Sequence, residues 1–199
     1  RESFTNDISN NFGNSIAVYD SNNIYVAGWS DWDGAIVWNG GTILIGGNSR
    51  NSGANSIVSE GIGTYAAAGY DYNGSVSVAK SWSWISGPGG GFLSLTDGTR
   101  NAMANSITVV GSDVYVAGYE YSGTGVSVAK YWKNAQPITL SDSTKANNAR
   151  SIVVIGSDVY VAGYDSSNAN SGIAKYWKNG IAMPLTSGAN WATANSIAV

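Results

Sequence analysis

Residues 111–119 and 156–164 spell the same nine letters, GSDVYVAGY, 45 residues apart. A phrase repeated at so short a distance is the mark of a chain built from stacked copies of one small unit. The anchor NSI recurs at Asn14, Asn55, Asn105 and Asn195, with RSI at Arg150, and the intervals are 41, 50, 45 and 45 residues. Four full repeats follow, at 14–54, 55–104, 105–149 and 150–194, with partial repeats at 1–13 and 195–199. The whole chain, 1–199, is one repeat domain.

Each repeat holds four short apolar stretches. In the last copy they are Ser151 to Ile155, Val159 to Tyr164, Ile173 to Lys178 and Ile181 to Thr186. Four to six residues rich in Val, Ile, Tyr and Thr make a strand and fall short of a helix. Asn179-Gly180 is the pair that favours a type I′ hairpin turn, and Gly156-Ser157 makes a second two-residue turn. Four strands in about 45 residues is the rhythm of a β-propeller blade. The expected fold is therefore all-β: a propeller of four-stranded blades, four complete and one partial at each end.

The VYVAG stretch is apolar on both faces, as expected for an inner strand packed between two neighbours. Ala117, Gly118, Ala162 and Gly163 are expected where adjacent blades approach closely. Trp132 and Trp177, with Trp38 at the same place in the first copy, are expected to fill space between blades.

The pattern NSIxV…DVYVAGY…AKYWKNG…LTDGT resembles the tandem β-propeller-type repeats of secreted and surface proteins of bacteria, a family largely without assigned function. The resemblance runs through essentially all 199 residues. It implies the fold and brings no catalytic motif with it.

Composition narrows the function classes. The chain has 10 basic and 13 acidic residues, a net charge of −3, and no basic stripe to neutralise phosphates, which argues against nucleic acid. It has neither Cys nor His, so thiol chemistry, disulfides and the commonest general base are absent. No apolar run approaches a membrane span. The chain opens at Arg1 without a signal peptide and reads as a mature product or an excerpt. Sparse charge with abundant Gly, Ser, Asn, Tyr and Trp suits an extracellular or cell-surface location. No cofactor, metal site or catalytic residue is expected.

The candidate binding residues follow the AG of each repeat: Trp29 and Asp31, Tyr70 and Asp71, Tyr119 and Glu120, Tyr164 and Asp165. Equivalent loops of a propeller gather on one face, so these pairs would form a rim of rings and carboxylates suited to sugars. The purely architectural alternative pairs each acid with the Lys of AK, at Lys80, Lys130 or Lys175, across a hairpin. The first repeat lacks that Lys yet keeps Asp31, which counts against the alternative. Asp113 and Asp158 read as turn formers. Ser30 to Gly34 holds a D-x-D-G fragment without the later Glu of a calcium loop, and Asn73 to Ser75 is a glycosylation-type sequon.

The expected role is a non-catalytic structural or adhesive module. It would self-associate through its terminal strands into a homo-oligomer or filament, because unpaired strand edges template other chains. A lectin-like propeller that binds glycans through the rim is the alternative.

Overall fold

The computed structural model describes residues 10–46, 51–61, 63–84, 91–168 and 171–199. Phe4 and the rest of 1–9, part of the first partial repeat, lie outside them. The described residues form sixteen strands and no helix, arranged as four four-stranded antiparallel sheets in simple up-and-down order.

The first sheet holds β1 (Asn11–Asp20), β2 (Asn23–Ser30), β3 (Gly34–Trp38) and β4 (Thr42–Leu44). The second holds β5 (Gly53–Gly61), β6 (Thr64–Tyr72), β7 (Ser77–Ser83) and β8 (Gly91–Ser94). The third holds β9 (Ala102–Val110), β10 (Asp113–Tyr121), β11 (Ser127–Lys133) and β12 (Gln136–Thr139). The fourth holds β13 (Asn147–Ile155), β14 (Asp158–Asn168), β15 (Ser171–Lys178) and β16 (Ile181–Pro184). Each first strand begins two or three residues before its anchor, so the anchor marks mid-strand and not a repeat boundary.

The turns follow local chemistry. Asn179 and Gly180 both take positive φ, 52° and 84°, as a type I′ turn requires. Asn134 and Ala135 make the same turn in the third sheet at φ 50° and 65°, with an alanine where the fourth has glycine. Gly111 and Gly156 open their two-residue turns at positive φ.

Successive sheets pack face to face, first on second, second on third, third on fourth. Each junction encloses one apolar core. Between the third and fourth sheets, Tyr115, Ala117 and Ala129 meet Ile152, Val159, Val161 and Trp177. Trp132 plays the part of Trp177 between the second and third sheets, and Trp82 between the first and second. Trp38 has the same register, opposite Val26, but is only half-buried, because it faces away from the second sheet. Burial of both faces of VYVA explains why those strands do not alternate: Val114, Tyr115, Val116 and Ala117 are all buried.

The glycine of VAG has a different reason from the one its smallness suggests. Its close neighbour lies within its own sheet. Every first strand carries a bulge at the anchor: the register passes from Gly13 to Ser15, Ala54 to Ser56, Ala104 to Ser106 and Ala149 to Ser151, omitting Asn14, Asn55, Asn105 and Arg150. The bulge drives a carbonyl toward the facing glycine. A Cβ on Gly28, Gly69, Gly118 or Gly163 would lie only 1.8–2.0 Å from the oxygen of Phe12, Gly53, Met103 or Asn148. Ala117 does pack between sheets; Gly118 and Gly163 answer to the bulge.

Candidate functional site

The bulge turns the anchor into an inter-sheet latch. The bulged asparagine points out of its own ladder and donates through Nδ2 to the next sheet: Asn14 to Ala54 O, Asn55 to Ala104 O and Asn105 to Ala149 O, at 2.8–3.0 Å. The following serine accepts from a backbone N–H of the next repeat: Ile57 to Ser15, Ile107 to Ser56, Ile152 to Ser106 and Ile197 to Ser151, at 3.2–3.3 Å. The isoleucine side chain then fills the junction, and Ile57, Ile107 and Ile152 are 4%, 3% and 5% exposed. Thus Asn, Ser and Ile each have a distinct job, which spacing alone did not disclose. Arg150 breaks the series; its guanidinium lies 5.4 Å from the Tyr164 ring centre.

The terminal residues use the same latch. Residues 191–199 form no strand, contrary to the expected first strand of another repeat. They nevertheless lie against the fourth sheet. Ala192 N–H donates to Gly172 O and Ala194 N–H to Gly163 O, and Ile197 N–H reaches Ser151 Oγ. Trp191 packs on Tyr164 with ring centres 5.3 Å apart.

At the other end of the stack, the face of the first sheet turned away from the second has no sheet on it among the described residues. Phe12, Ile16, Val26, Ile36 and Trp38 line a groove of about 470 Å3 there. Ile16 is 63% exposed, against 3–5% for its three counterparts.

The four candidate aromatics do occupy one register. Trp29 faces Phe12, Tyr70 faces Gly53, Tyr119 faces Met103 and Tyr164 faces Asn148, each also opposite an alanine of the third strand. Their surroundings differ. Trp29 stacks on Phe12 at 4.4 Å, Tyr119 meets the edge of Tyr121, and Tyr164 is flanked by Trp191 and Arg150. Burial, then the neighbouring Tyr121 and Tyr164, push the Tyr119 phenol above its ordinary range.

The acids do not share one register, and this corrects the sequence comparison. Asp71, Glu120 and Asp165 are equivalent, but the first-sheet residue in their place is Ser30, opposite Asn11, and Asp31 follows it. Asp31 instead accepts from Asn10 Nδ2 at 2.8 Å. Facing the same glycine as Lys80, Lys130 and Lys175 stands Ile36. So the repeat without the cation also lacks the acid, and the argument against cross-strand pairing disappears. Glu120 pairs with Lys130 and Asp165 with Lys175, as diagonal neighbours on one face. Asp71 forms no such bridge, since Lys80 Nζ donates to Ser94 Oγ.

Further acids serve the turns. Asp113 and Asp158 bind Lys133 and Lys178 at 2.8 Å and accept from Asn134 and Asn179. The lysine and then the asparagine hold each carboxyl below its ordinary range. In the D-x-D-G fragment, Ser30 Oγ accepts from the N–H groups of Trp32 and Asp33, which is a serine-capped turn. Asn73 of the sequon folds its own loop: Oδ1 accepts from Ser75 and Val76 N–H, and Nδ2 donates to Gly98 O.

No family model matches the chain, and no curated protein matches it.

Proposed function

We propose that the four sheets are blades of a propeller-type module and that the module is a non-catalytic structural or adhesive element outside the cell, built to associate with copies of itself. The single observation that carries this reading is the open face of the first sheet. It holds Ile16, Val26 and Trp38 at the positions that fill all three internal junctions, yet Ile16 is 63% exposed. An apolar face of this kind marks an interaction surface. The occupant that fits is the far end of a second copy. Residues 14–18 and 195–199 are the same five letters, NSIAV, and 195–199 already seat on the fourth sheet through the Ile197–Ser151 contact. The β1 strand of one copy therefore carries the sequence that the fourth sheet of another accepts, once residues 195–199 of that copy give up the Ser151 contact. Such a contact is head to tail and gives a closed ring or a filament according to its rotation.

Light scattering and sedimentation of the full chain over a range of concentration test this. Association that rises with concentration and is lost in Ile16→Asp supports the proposal. A chain that stays monomeric throughout, or an Ile16→Asp variant that associates as well as the parent, overturns it. Ile16 is exposed in the single chain, so the substitution leaves the internal junctions intact.

A further inference from the structure

An asparagine followed by glycine is a place where a chain can modify itself. The glycine nitrogen, unshielded by a Cβ, can reach the side-chain carbonyl of the asparagine before it. The chain holds three such pairs, Asn39-Gly40, Asn73-Gly74 and Asn179-Gly180. They stand in the β3–β4, β6–β7 and β15–β16 connections.

The structure separates the three. To close a ring, the amide must swing back over its own backbone and leave its hydrogen-bond partners. Asn73 is held at both ends: Oδ1 accepts from Ser75 and Val76 N–H, and Nδ2 donates to Gly98 O at 2.8 Å. Asn179 is held in the same way: Oδ1 accepts from Val159 N–H and Nδ2 donates to Asp158, both at 2.8 Å. The side-chain amide of Asn39 makes no hydrogen bond among the described residues; only its backbone N–H donates, to Gly41 O. The Gly40 N–H has no acceptor there either. Gly40 and Gly41 are exposed, and nothing lies within 4 Å of a Cβ built on either. A ring has room to form at this turn, and water has room to enter. Leaving two or three hydrogen bonds slows ring closure at least about tenfold, a cost that Asn39 does not meet.

We propose that Asn39 is a site of spontaneous covalent modification, at which the asparagine becomes aspartate or isoaspartate through a cyclic imide, while Asn73 and Asn179 are held back. The Gly40 amide nitrogen gives its proton to hydroxide and attacks Asn39 Cγ. The new N–Cγ bond closes the imide, and the side-chain nitrogen takes a proton from water and leaves as ammonia. Water then adds to one of the two imide carbonyls and breaks its bond to nitrogen. Opening at Cγ yields aspartate. Opening at the backbone carbonyl yields isoaspartate, whose main chain runs through the β-carbon. The sum is one water consumed and one ammonia released, with no oxidation or reduction. Either product brings a negative charge next to Trp38, which lines the open groove, and isoaspartate lengthens the loop between the paired Trp38 and Thr42.

The test is peptide mapping of the full chain aged at physiological temperature in mildly alkaline buffer. Trypsin cuts after Arg50, Lys80 and Lys178, so the three pairs fall on separate peptides. Tandem mass spectrometry follows the gain in mass when oxygen replaces NH, and electron-transfer fragmentation tells isoaspartate from aspartate. In the folded chain Asn39 should convert at least about tenfold faster than Asn73 and Asn179. In guanidinium, where every side-chain amide is free, the three rates should converge. Asn39→Gln, whose longer side chain closes a ring far more slowly, should remove most of the gain from its peptide. Equal rates for the three pairs in the folded chain overturn the proposal. So does conversion of Asn73 or Asn179 ahead of Asn39, an Asn39 that converts only in guanidinium, or a gain that survives Asn39→Gln unchanged.

Discussion

Replacing Gly118 with alanine would set a methyl carbon 2.0 Å from Met103 O and 3.0 Å from Ala104 Cα. Both obstacles are backbone, so no flexible side chain can yield. To reach ordinary contact the bulged strand must retreat by on the order of 1 Å in a close-packed interior. Overfilling of this kind costs about 1–3 kcal/mol. The retreat also pulls on Asn105, which holds Ala149 O at 2.8 Å, and each such bond is worth about 1 kcal/mol. The sum is a loss of about 2–4 kcal/mol, read from the urea midpoint against the parent. Because each sheet touches only its neighbours, the damage should concentrate at the junction of the third and fourth sheets, and amide exchange in β13 should rise first. Gly123→Ala is the control: nothing lies within 4 Å of its added carbon, and φ there is ordinary. It should change stability by no more than about 0.5 kcal/mol in the destabilising direction. A loss below about 1 kcal/mol for Gly118→Ala would refute the bulge as the reason for the glycine.

Trp177, 1% exposed and central to the last junction, should cost about 3–5 kcal/mol when cut to alanine, while Trp38→Ala in the same register should cost much less; equal losses would contradict the assignment of the open face. Ala135→Gly removes a Cβ from a φ of 65° and should gain up to about 1 kcal/mol in thermal or urea unfolding, the relief of strain exceeding the added freedom of the unfolded chain; a net loss would count against the I′ turn. Burial, with the adjacent Tyr25, pushes the Tyr65 phenol from 10 to about 12. The unfolded chain therefore releases this proton first, so stability should be full below about pH 10 and decline between pH 10 and 12, and Tyr65→Phe should flatten that decline in alkaline unfolding curves; an unchanged slope would refute it.

Much of the architecture was legible because it rests on local chemistry. Strand length, β-branched and aromatic residues, and a turn pair such as Asn179-Gly180 act within a few residues of themselves, and they placed four strands in each repeat. Twofold burial of VYVA was legible too, since an unalternating apolar run has few other homes in a sheet. The candidate rim was legible only in part. Its aromatics share a register, but residue type alone matches Asp31 to the other acids: it lies three residues after Gly28, whereas Asp71, Glu120 and Asp165 lie two after Gly69, Gly118 and Gly163, so Ser30 holds their place in both the count and the ladder.

What the amino-acid order determined by itself was therefore the period, the strands and the turns. The tertiary structure alone decided the rest: that the bulge opposes the glycine, that Asn105 reaches Ala149 and Ile152 reaches Ser106, and that Ile16 stays open while Ile152 is covered. The physical reason is distance along the chain. A turn is an agreement between adjacent residues, whereas a latch, a junction or a cavity is an agreement between residues some 45 positions apart, and only packing brings those partners together.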